Sequence, residues 1–81
     1  MRVRLLYFAI LRDITGKSED VVDLPEGTRA QEVWNRLRSQ HHELAGYERA
    51  PMTAVNESYV PADQQLRDGD EVAFIPPVAG G

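Results

Sequence analysis

Ala79-Gly80-Gly81, following Pro76-Pro77-Val78, is the stretch of this chain with the most chemical potential, because an unbranched terminal glycine leaves its α-carboxyl open to approach. An α-carboxyl has a reference pKa of about 3.3–3.7, so at neutral pH it is ionised and a poor electrophile until a partner activates it. Adenylation would supply a leaving group, after which a sulfur or other nucleophile could attack the carbonyl without meeting a side chain. Pro76 and Pro77 favour a stiff, extended approach, and the six residues 76–81 reach at most about 20 Å. Such a tail suits a narrow channel in another protein; it is equally the composition of a terminus that frays and does nothing.

The remaining reactive residue types read as structural. His41 and His42 are adjacent, point apart in an extended chain and have no third ligand at useful spacing, so a polar surface pair is expected and no metal site. Asp68 and Asp70 flank Gly69, a turn pattern before a strand and not a catalytic pair. Ser18, Ser39 and Ser58 lie in no nucleophile-elbow context, and no glycine-rich loop of the phosphate-binding type is present. With no cysteine there is neither a disulfide framework nor a thiolate, which fits a reducing compartment. The chain is not expected to catalyse alone.

Eighty-one residues, 42% of them hydrophobic, make one folded domain near the size at which small proteins need staples or partners. The net charge of −4 falls entirely on the later part: residues 1–50 balance eight basic against eight acidic side chains, whereas residues 51–81 hold one basic and five acidic. That distribution disfavours nucleic acid. It suits a partner with a basic, phosphate-handling site, or simply a solvated acidic surface. No signal-peptide core or membrane-length apolar run occurs, so a cytoplasmic location and no membrane association are expected.

Positioning the tail falls to a small set of elements. Val3, Leu5 and Tyr7 alternate with Arg2, Arg4 and Leu6, predicting a half-buried strand over residues 2–9. Ile10, Leu11 and Ile14 take helical spacing up to Gly16, a left-handed stop, and a second strand is expected from Glu19 to Leu24. Pro25-Glu26-Gly27 breaks it. Thr28 with Gln31 forms a capping-box pattern ahead of an apolar stripe of Ala30, Val33, Trp34 and Leu37, with Glu32 and Arg36 as an exposed i,i+4 pair. Residues 39–50 read as a loop with a turn of helix. Met52 to Val55, Tyr59-Val60 and Glu71 to Ile75 resume extended patterns, separated by turns at Asn56-Glu57-Ser58, Pro61-Ala62-Asp63 and Asp68-Gly69-Asp70. The order implies an α+β fold, a mixed sheet wrapped around one main helix, with residues 1–75 as the domain and 76–81 as its reactive tail.

Leu6-Tyr7-Phe8-Ala9 with Leu11-Arg12-Asp13, Ala54-Val55-Asn56, Asp68 to Phe74 and Pro76 to Gly81 together resemble the small subunit of molybdopterin synthase. The resemblance spans nearly the whole chain, most specifically its last third and most loosely residues 39–50. It implies the β-grasp, ubiquitin-like fold. It also implies that Gly81, preceded by Gly80, is adenylated by a ubiquitin-activating-type enzyme using ATP and Mg, then converted to a thiocarboxylate with sulfur from a separate donor. The tail, Pro76, Pro77, Val78 and Ala79 included, would enter the large synthase subunit and deliver sulfur to cyclic pyranopterin monophosphate within a heterotetramer. No cofactor would be bound by this chain.

By the same resemblance Phe8, Tyr59 and Ile75 present apolar side chains to partners, and Arg12 helps dock the activating enzyme. Strand parity agrees for Phe8 and Ile75, which lie off the Val3-Leu5-Tyr7 and Val72-Phe74 faces and would share the outer sheet surface. A thiamin-pathway sulfur carrier, a ubiquitin-like modifier that acylates lysines, and a β-grasp interaction module with an inert tail are the alternatives.

Overall fold

The computed structural model describes residues 1–47 and 51–75. Alternation in the first segment produces β1 (Arg2–Tyr7), with Val3, Leu5 and Tyr7 buried. It is shorter than the expected 2–9 because the backbone turns at Ala9, whose φ of 49° and ψ of −124° form a conformation suited to glycine. The turn starts α1 (Ile10–Thr15), which buries Leu11 and ends at Gly16, in left-handed conformation with its N–H donating to the Arg12 carbonyl. β2 (Glu19–Asp23) then returns antiparallel to β1. Leu24, expected within the strand, is instead buried just beyond it, its N–H donating to the Met1 carbonyl at 2.8 Å.

The apolar stripe forms α2 (Ala30–Gln40) and buries Ala30, Val33, Trp34 and Leu37 as its spacing requires. Its start differs from the expected Thr28–Gln31 box by one residue. Thr28 is buried and its hydroxyl donates back to the Pro25 carbonyl at 2.7 Å; the Glu32 carboxylate accepts from the Arg29 N–H at 3.0 Å. The unpaired N–H groups of the first turn find partners far along the chain, Ala30 donating to the Gln64 carbonyl at 2.9 Å and Gln31 to that of Ala62 at 2.8 Å. Glu32 and Arg36 are exposed but have other partners, since Arg36 Nη1 donates to the Asp23 carbonyl at 3.5 Å.

Residues 39 and 40 extend this helix where a loop was expected, and a 3₁₀ turn, His42–Leu44, follows. Leu44 is buried, and Trp34 Nε1 donates to the Tyr47 carbonyl at 2.6 Å, which ties the segment down. β3 (Met52–Val55) and β4 (Ser58–Val60) form a hairpin through Asn56 and Glu57, both at positive φ. β5 (Glu71–Ile75) inserts between β1 and β3, parallel to the first and antiparallel to the second. The five-stranded order is β2-β1-β5-β3-β4, the mixed β-grasp sheet that the resemblance implies.

One face of this sheet packs on α2. Val3, Leu5, Tyr7, Val72 and Phe74 meet Val33, Trp34 and Leu37, closed at the edges by Leu11, Leu24, Leu44 and Leu66. The Trp34 and Phe74 rings lie 5.2 Å apart at a tilted 53°, a favourable aromatic geometry. The Asp68-Gly69-Asp70 turn is structural: Asp68 Oδ1 accepts from the Arg2 N–H at 2.7 Å, and Asp70 accepts from Asn56 Nδ2 at 2.9 Å and the Arg67 N–H at 2.8 Å. β5 thereby enters the sheet with its register fixed and carries the chain to Ile75.

Candidate functional site

Every second residue of the same strands faces away from the helix. On that outer face Leu6 lies opposite Ala73, Ala73 opposite Ala54, Ala54 opposite Tyr59, and Met52 opposite Ile75. The two alanines put small side chains on the central strands, whereas Phe8, Tyr59 and Ile75 stand around them. The result is an open groove of about 290 Å³ lined by Leu6, Phe8, Ala54, Glu57, Tyr59, Glu71, Ala73 and Ile75. Phe8 is 46% and Tyr59 67% exposed, large values for rings with aliphatic neighbours within reach. An apolar concavity of this kind, unfilled by its own chain, fits an apolar protrusion of a partner.

Backbone geometry holds the rim in place. The positive φ at Ala9 turns the chain directly after Phe8. The Asn56-Glu57 turn brings β4, and Tyr59 with it, beside Ala54. The other end of the outer face is charged: Arg4 hydrogen-bonds to Glu71 and lies 3.5 Å from Glu19, and Arg2 meets Asp23 at 3.2 Å. The Arg4 guanidinium is held above its ordinary pKa, first by the hydrogen bond to Glu71 and then by that carboxylate's charge. Its positive charge is therefore matched within the sheet by Glu71, and Glu57 is the other acidic side chain on the groove's margin.

Phe8, Tyr59 and Ile75 thus line one groove; strand parity points to Phe8 and Ile75, whereas Tyr59 enters from the resemblance alone. Arg12 is exposed on α1 and is not among the residues lining the groove. Pro76, Pro77, Val78, Ala79, Gly80 and Gly81 lie outside the described residues, but β5 delivers the chain to them from the groove's own wall at Ile75. Leu6, Ala54, Glu57 and Ala73 escaped the sequence reading, although period two from Phe8 and Ile75 leads to Leu6 and Ala73. Among the described residues no group of three His, Cys, Asp or Glu side chains could hold a metal ion, and no helix is long and apolar enough to cross a membrane. His42 is exposed, 3.5 Å from Glu43, and His41 ends α2.

The chain is similar to several known proteins. A molybdopterin synthase sulfur carrier subunit from Chlamydomonas reinhardtii is 36% identical over 83 residues, covering 100% of both chains. One from Escherichia coli is 37% identical over 81 residues, covering 98% of this chain and 99% of the relative. A solved structure from Pyrococcus furiosus, provisionally assigned as subunit 1 of a molybdopterin converting factor, superposes with a TM-score of 0.82 at 31% identity, covering 96% of this chain and 99% of that one. The match to the ThiS family itself runs over residues 5–81, from inside β1 through the strands that wall the groove and on through the Gly-Gly tail, and the chain belongs to that family.

Proposed function

We propose that this protein is the sulfur carrier subunit of a molybdopterin synthase. The full-length identity to subunits of that name carries the reading, and the groove beside the start of the tail supports it. In this reading the Gly81 carboxylate attacks the α-phosphate of ATP on a ubiquitin-activating-type enzyme, with Mg, releasing pyrophosphate. Sulfide then displaces AMP directly, or a persulfide displaces it to form an acyl disulfide that a second thiol cleaves reductively, and the resulting thiocarboxylate is carried into the large subunit. There the sulfur passes to cyclic pyranopterin monophosphate, and Gly81 returns to a carboxylate ready for another cycle.

The chain's own part is binding and delivery. The apolar groove around Phe8, Tyr59 and Ile75 docks the large subunit and the activating enzyme in turn, with Arg12 assisting the latter. Pro76 to Gly80 span the distance between the docked sheet and the reacting carbon. No cofactor is held by this chain, and the reaction belongs to the cytoplasm, in a heterotetramer of two large and two small subunits.

Intact mass tests this directly. After incubation with an activating enzyme of the family, ATP, Mg and a sulfide source, one oxygen should be exchanged for sulfur, and the exchange should vanish when Gly81 is deleted. The charged protein mixed with large subunit and pterin substrate should then lose the sulfur. No mass change under conditions that charge another carrier would sink the assignment, and adducts on lysines of other proteins would redirect it to a modifier.

A further inference from the structure

Glu57 is a residue that local backbone energetics would not choose. With Asn56 it joins β3 to β4 between the paired Val55 and Ser58, and its φ is 71°. A two-residue hairpin turn with positive φ at both positions favours Asn-Gly, because glycine has no Cβ to crowd the backbone there. Asn56 meets the first half of that preference and Glu57 departs from the second. A long acidic side chain held in a costly conformation needs a reason outside the turn.

The turn itself is anchored. The Asn56 N–H donates to the Glu71 carbonyl at 2.8 Å, its Nδ2 donates to Asp70 Oδ1 at 2.9 Å, and its Oδ1 accepts from the Glu71 N–H at 3.0 Å. These bonds pin the turn to the start of β5, so the Glu57 backbone is fixed relative to the groove that its side chain lines beside Tyr59. The charged residues lining that groove are Glu57 and Glu71, both acidic, and Glu71 is bonded to Arg4. Glu57 is exposed, and its carboxylate has no hydrogen-bond or ion-pair partner among the described residues. The groove therefore carries an uncompensated negative charge at a fixed point of its margin.

We infer that Glu57 is a specificity-determining residue of the groove: its carboxylate pairs with a lysine or arginine that lies beside the apolar protrusion of the large subunit. The inference rests on the carrier reading above. An apolar concavity alone accepts any apolar projection of fitting size, whereas a fixed charge at its margin selects among them. A cationic neighbour gains an ion pair, and an acidic one meets repulsion. The two contacts also differ in range. Apolar contact acts only at touching distance, but an unpaired charge is felt over about 8 Å at physiological salt and orients the partner before the Phe8 and Tyr59 rings are covered. A pair at the rim adds modestly to affinity and more to the choice of partner.

The test measures binding of the full chain to the large subunit by calorimetry, at about 50 and about 300 mM salt. Glu57→Gln should bind about 5-fold more weakly at the lower salt and lose most of the wild type's salt dependence. Glu57→Lys should bind about 100-fold more weakly. Glu57→Gly should raise the thermal midpoint by about 4 °C by relieving the turn, yet bind no better than Glu57→Gln. Wild-type affinity in Glu57→Gln or Glu57→Gly, salt dependence that Glu57→Gln retains, or normal binding by a folded Glu57→Lys chain would each overturn the inference. A wild-type chain that is folded by circular dichroism and does not bind the large subunit would instead overturn the carrier reading beneath it.

Discussion

The two faces of the sheet are built from the same strands and obey opposite rules. On the inner face of the two central parallel strands large side chains pack beneath α2: Val72 and Phe74 are fully buried and the Trp34 ring lies against Phe74. On the outer face the same strand β5 contributes Ala73 between Glu71 and Ile75, and the space that a larger residue would fill is left as the groove. Stability is concentrated on one side, and the groove proposed for recognition lies on the other. A chain of this size can keep both only because strand parity separates them residue by residue.

Substitutions should divide along that line. Phe74→Ala removes the ring from the Trp34 contact and should cost about 3–5 kcal/mol, enough to leave much of a marginally stable domain unfolded in a urea titration. The Phe8→Ala, Tyr59→Ala double variant should do the reverse. Its denaturation midpoint should stay within an equivalent of about 0.5 kcal/mol, while affinity for the large subunit, measured by calorimetry, should fall about 100-fold. A double variant that unfolds would show that the outer face is also core.

The two tyrosines sharpen the comparison. Tyr7, on the inner face, has its pKa pushed up to about 12, chiefly by burial and further by the Asp20 charge, with Arg36 opposing. The folded state thus favours the neutral phenol. Its contribution is fully present below pH 10 and is lost as pH rises from there through about 12. Global stability should drop over that window by on the order of 2 kcal/mol, and Tyr7→Phe should flatten the drop. A wild-type profile unchanged by Tyr7→Phe would place the alkaline transition elsewhere.

The smallest effect concerns the hinge between the faces. Ala9→Gly should relieve the positive φ and stabilise the fold by about 1 kcal/mol, yet it loosens the backbone after Phe8 and should weaken partner binding slightly. Stabilisation with unchanged binding would show that the strain does not aim Phe8.

The sequence reveals much of this arrangement wherever one element's own spacing decides the outcome. The Ala30-Val33-Trp34-Leu37 stripe yields α2, the alternation in β1 yields the inner face, and parity yields Phe8 and Ile75. What it hides depends on distant residues. The start of α2 shifts by one residue because its N–H groups bond to Ala62 and Gln64, more than thirty positions away, and the Thr28 hydroxyl is drawn to Pro25. The groove's floor was equally silent, since an alanine on a strand signals neither burial nor contact until its cross-strand neighbours are known.

The central place of β5 bears on how the molecule comes into being. Its partner β1 is made first and β5 after every other element, with Arg4 pairing to Glu71 across most of the chain. Until β5 emerges during synthesis, the β1–β2 and β3–β4 hairpins are two separate ribbons with unpaired edges open to misassembly. Contacts this remote also make folding slow for the chain's length. A nascent or proteolysed chain that lacks β5 has nothing to join its two hairpins into one sheet, so closure of the fold waits on the strand that immediately precedes the tail.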